Sequence, residues 1–93
     1  METVTANSEA DIWMRTIQPE RGDLSRDAAQ FILQLKLANE DLRRSDELAS
    51  KAVAGEMSAT EEVEIENYRR AGRLLELMQS KARLSLRLAG SAG

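Results

Sequence analysis

The sequence contains no cysteine and no histidine. Without cysteine there is no disulfide, and thiol content gives no indication of compartment. Both absences together remove the usual nitrogen and sulfur donors for zinc. They also exclude the Ser–His and Cys–His nucleophile arrangements. Proline occurs once, at Pro19, and the aromatic residues are only Trp13, Phe31 and Tyr68. A core must therefore be assembled from Leu, Ile, Val, Met and Ala. No apolar run approaches the roughly 20 residues needed to cross a bilayer. The N-terminal "METVTANSEAD" lacks the basic and apolar regions of a signal peptide. A cytoplasmic location is the expectation. There is no Gly-rich phosphate loop and no calcium-loop spacing. With histidine missing, and the clustered Glu61, Glu62, Glu64 and Glu66 expected in an exposed first turn as capping and solubilising groups, the chain is expected to be no enzyme and to hold no catalytic, cofactor or metal site.

What the chain does contain is charge and leucine. It has 93 residues, 31% of them charged, with a net charge of −3. That length suits one small domain. A monomer of this size buries a limited share of its apolar surface, so self-association is a natural supplement. The acidic total argues against a nucleic-acid-binding domain, which is usually basic overall.

The periodicity predicts an all-α protein: a short first helix, then an antiparallel helical hairpin with a long second arm. Residues 1–22 read as a flexible arm. Within it "IWMRTI" offers one short amphipathic turn closed by Pro19 and Gly22, and Trp13 is a candidate anchor for a partner's pocket. Residues 23–90 form the helical domain and 91–93 a tail. The first helix of that domain is expected over 26–37, with Asp23 or Ser25 as its N-cap. The second is expected over 40–54, capped by Asn39 and stopped by Gly55. The third is expected over 59–89, opened by a Ser58-x-x-Glu61 capping box and stopped by Gly90.

This last helix carries a heptad-like seam of Ile65, Tyr68, Gly72, Leu75, Gln79, Ala82 and Leu86. Gly72 and Ala82 would let a neighbour approach closely, and the expected neighbour is the second helix. At 100° per residue, Arg69, Arg73, Glu76, Ser80, Arg83 and Arg87 share one narrow polar stripe. Leucines flank it on both sides, so the apolar arc exceeds the ~100° that a surface helix requires. The side bearing Leu74, Leu77, Leu84 and Leu88 is a candidate partner interface. Arg69, Arg73, Lys81, Arg83 and Arg87 are candidate phosphate contacts under the alternative reading, a nucleic-acid-binding regulator. Acidic residues crowd the start of the helix and basic ones its later turns. That order complements the helix dipole and an antiparallel copy of the same helix.

The stretch "GEMSATEEVEIENYRRAGRLLELMQSKARLSL", Gly55 to Leu86, resembles a family of small bacterial proteins of unassigned function. Their pattern is a glycine, then Leu-Thr-Pro-Glu-Glu, Leu-x-x-Tyr, and Leu-Leu-x-x-Leu-Gln-x-Lys-Ala-Arg. Met57 and Ser58 stand for Leu-Thr, and Ala59 replaces the proline. Ile65 and Tyr68 match the second element. Leu74, Leu75, Met78, Gln79, Lys81, Ala82 and Arg83 match the third. "DLSRDAAQFILQLKLANEDLRRSDELASKAVAG" upstream follows the same layout. Such proteins are often encoded beside an HNH-type nuclease. The resemblance implies an accessory, antitoxin-like or immunity-like partner of a larger protein. The functional expectation is a non-catalytic protein–protein interaction module, with a homo-oligomer as one form of it.

Overall fold

A computed structural model describes residues 6–92. Its elements are α1 (Glu9–Ile17), α2 (Arg26–Gln34), α3 (Asn39–Ala54) and α4 (Ala59–Ala92), with no strand among the described residues. The protein is all-α. No helix among these residues is long and apolar enough to cross a membrane. The chain divides into two compact units. One comprises Leu35–Leu75; the other joins residues 1–34 with the part of α4 from Glu76 onward. Residues 1–5 and 93, which belong to the expected arm and tail, lie outside the described residues.

Within the expected arm, residues 9–17 form α1. Ser8 caps it, its side-chain oxygen accepting the Asp11 N–H at 3.0 Å. Pro19 disfavours the α conformation at the residue before it. Gln18 leaves the helix in the left-handed region at φ 52°, and its N–H closes the helix on the Met14 carbonyl at 3.0 Å. Ser25 precedes α2, and its hydroxyl oxygen accepts the Ala28 N–H at 3.1 Å. It ends at Gln34 rather than at 37. Leu35, Lys36 and Leu37 continue outside any helix. The side-chain amide of Gln79 donates to the Ile32 carbonyl at 3.2 Å, meeting one of the acceptors that a last turn leaves open.

α3 starts one residue earlier than expected. Its N-cap is the extended Ala38, with no side-chain cap bond, so Asn39 is the first helical residue instead of the cap. The carbonyl of Ala38 already accepts from the N–H groups of Asp41 and Leu42. At the other end Gly55 takes φ 71°, as expected of it. Its N–H donates to Ala52 and the N–H of Glu56 to Lys51, a two-bond closure that uses two orphan carbonyls. The capping box is complete in both directions. Glu61 N–H donates to Ser58 Oγ, and Ser58 N–H to Glu61 Oε1, each at 3.1 Å. Gly90 does not stop α4, which runs to Ala92. A glycine ends a helix by turning left-handed, and among the described glycines only Gly55 has positive φ.

In the Leu35–Leu75 unit the core is Leu48, fully buried, with Ile65. Tyr68 donates to Asp41, Arg44 to Glu64 and Lys51 to Glu61. Partners descend along α4 as they ascend along α3, so the two segments run antiparallel. In the other unit Ala29, Ala82 and Ser85 are buried. Ala82 was expected to face α3. It lies instead in the unit of α1 and α2, where Gln79, one turn away, bonds α2.

Candidate interaction surfaces

In the unit of α1 and α2, polar side chains of α4 hold main-chain groups of the segment before α2. The Lys81 ammonium donates to the Ile17 carbonyl at 2.7 Å and to Asp23 Oδ1 at 2.9 Å. It thereby caps the C-terminal end of α1, where a cation is favoured by the helix dipole. Lys81 in turn holds the Asp23 carboxyl below its ordinary range. Ser85 donates its hydroxyl proton to the Lys81 carbonyl one turn back, at 2.8 Å, and accepts the Leu24 N–H at 3.2 Å. Burial of that hydroxyl is tolerated because both bonds are made.

The same segment covers part of the leucine face. A Cβ placed on Gly22 would lie 2.7 Å from Leu88 Cδ1 and 3.0 Å from Leu84 Cγ. Only glycine lets the backbone come this near. Leu84 and Leu77 are half-buried within this unit, and Leu88 is 48% exposed. Leu74 belongs to the other unit and is also half-buried. Further apolar groups left open on this unit lie on α1 and α2. α1 has no buried residue, although it carries Ile12, Trp13 and Met14, all exposed. Phe31 on α2 is 64% exposed.

The Leu35–Leu75 unit is tied by an ion-pair network. Arg44 meets both carboxylate oxygens of Glu64 through Nε and Nη2, each at 2.8 Å, and reaches Glu47 at 2.7 Å and Glu61 at 3.3 Å. Two parallel bonds from one guanidinium make a directional pair. Lys51 Nζ donates to Glu61 Oε2 at 2.6 Å. This ammonium and the Ser58 N–H together push the Glu61 carboxyl down to about 2. Arg44 lowers Glu64, and Glu64 in return holds Arg44 firmly protonated. Tyr68 donates to Asp41 at 2.8 Å, which raises the phenol. These charges are spent on one another. Arg44 and Lys51, seven residues apart on one face of α3, escape a reading fixed on the basic stripe of α4. Their signal is the matching pair Glu61 and Glu64 across the Gly55 turn.

The candidate phosphate contacts are divided by the structure. Arg69 and Arg73 are exposed but both reach Glu66, at 3.4 and 3.6 Å. Arg83 and Arg87 are exposed. Lys81 is only 12% exposed and bound to Asp23 and Ile17, so it does not stand with the others. Among the described residues no group of three or more His, Cys, Asp or Glu is placed to hold a metal ion. No family model, no curated protein and no solved structure matches the chain.

Proposed function

We propose that the protein is a non-catalytic helical interaction module, and that α1 offers its contact surface to a larger protein. The observation that carries this is α1 itself. A helix with no buried residue presents Ile12, Trp13 and Met14, yet its end is pinned by Lys81. Large apolar side chains left exposed on an ordered element mark candidate contact sites. Trp13 is 37% exposed, and Trp is among the residue types enriched where binding energy concentrates. The net charge of −3 and the engagement of Lys81 by Ile17 and Asp23 weigh against the nucleic-acid reading. The narrower form of the reading is the antitoxin- or immunity-like accessory, acting in the cytoplasm, that the family resemblance implies.

The test uses the full chain as bait in an extract of its source cell, followed by binding with the purified candidate. Trp13 is the sole tryptophan, so its emission reports the contact directly. The expected result is a specific partner that shifts Trp13 emission to the blue and is lost with Ile12→Glu. A partner retained at unchanged affinity by Ile12→Glu and by Trp13→Ala overturns the reading.

A further inference from the structure

The outer face of α4 in the Leu35–Leu75 unit is bare. Ala59, Glu62, Asn67 and Arg70 are exposed, Val63 is 63% exposed, and together with Glu66 they line a shallow open hollow. At 100° per residue Ala59, Val63, Asn67, Arg70 and the half-buried Leu74 fall on one stripe of this helix. The ion pairs with α3 are made on the opposite side, by Glu61, Glu64 and Tyr68. The bare stripe has a marked order of charge. Glu62 and Glu66 precede Asn67; Arg70 and Arg73 follow it. Neither Glu62 nor Arg70 makes an ion pair among the described residues, and the links of Arg73 and Arg69 to Glu66 are long and exposed.

We infer that this face binds a second copy of the same chain, antiparallel, about a two-fold axis near Asn67. This rests on the interaction-module reading but names a different surface and a different partner. A two-fold axis makes a contact self-complementary: residue i meets j, and j meets i. Antiparallel pairing about the level of residues 67–68 brings Glu66 beside Arg70, and Glu62 beside Arg73, twice each. Val63 then meets Leu74 on either side of the axis, giving the contact its apolar part. A parallel copy would set Glu62 against Glu62 and Arg70 against Arg70, which is repulsive. The charge order therefore selects both the partner and its direction. The surface is small and half polar, so the dimer is weak and sensitive to salt.

Charge reversal tests this. Sedimentation velocity on the full chain is compared for wild type, E62R/E66R and R70E/R73E, with far-UV circular dichroism confirming that each remains helical. Wild type is expected to self-associate reversibly, with Kd rising at least tenfold from low to high salt. Each reversed variant alone places like charges together and is expected to be monomeric. An equimolar mixture of the two restores every attraction and is expected to form the heterodimer. Wild type that stays monomeric at low salt overturns the inference. So does association that survives in both reversed variants alone, or a mixture that stays monomeric. None of these results bears on α1, whose partner is tested separately by Ile12→Glu.

Discussion

Truncation of Leu48 is the most direct probe of the Leu35–Leu75 unit. Leu48 is the one large side chain that is fully buried among the described residues. Leu48→Ala removes the three carbons beyond Cβ. At about 0.8 kcal/mol for each buried group the transfer loss is about 2.4 kcal/mol. Incomplete collapse around the hole widens the expected cost to about 2–5 kcal/mol. A domain of this size has about 5–15 kcal/mol of stability in all. The control is Val53→Ala on the same helix, at a residue 92% exposed. That change is expected to cost less than about 0.5 kcal/mol. Urea unfolding followed by far-UV circular dichroism gives both values from the shift in midpoint at constant slope. A Leu48→Ala cost below about 1 kcal/mol, or a Val53→Ala cost equal to it, would refute Leu48 as the centre of this core.

Two further outcomes are expected. Gly22→Val pushes side-chain atoms into Leu88 and Leu84, whose backbone carbon is already 3.2 Å from a Cβ at that position. Overpacking there is expected to cost about 1–3 kcal/mol, read as a lowered urea midpoint of Trp13 emission; an unchanged midpoint would mean that the segment does not sit on α4. Glu61 gives a pH dependence. Its carboxyl is lowered from the ordinary 4.5 to about 2, so its stabilisation is fully present above 4.5 and is lost as pH falls towards 2. Glu64 and Asp23, also lowered, act in the same direction. Glu61→Gln is expected to flatten the fall in Tm across that window, and an equally steep profile in the variant would assign the effect elsewhere.

The parts of the fold legible in the sequence were those fixed by local chemistry. Gly55, Ser25 and the Ser58–Glu61 box act within a turn, and their residue types announce them. Asn39 was misread because Asn is a common cap, whereas the chain enters α3 through the extended backbone of Ala38. Gly90 was misread because a glycine permits a helix stop without compelling one. The seam of α4 was legible as a stripe, but not the neighbours along it. Ile65 lies in the unit of α3, and Ala82 in that of α1 and α2. Periodicity says which face is covered and is silent about what covers it. Lys81 shows the same limit for charge. The nucleic-acid reading groups it with Arg69, Arg73, Arg83 and Arg87, although at 100° per residue it lies off their stripe, and only tertiary structure reveals that its ammonium is engaged by Ile17 and Asp23.

The attachments made by Gln79, Lys81 and Ser85 have a consequence for how substitutions would be tolerated. Their targets at Ile32, Ile17 and Leu24 are peptide oxygens and a peptide N–H. Every residue type supplies the oxygen, and all but proline supply the N–H. Apart from the Lys81–Asp23 ion pair, the grip is therefore blind to the identity of the residues it holds. A saturation library would show the imbalance. The three anchoring positions on α4 would accept few replacements, and the positions they grasp would be filtered only by packing. Tolerance along residues 17–32 would thus narrow most sharply at Gly22, where the requirement is the absence of a side chain.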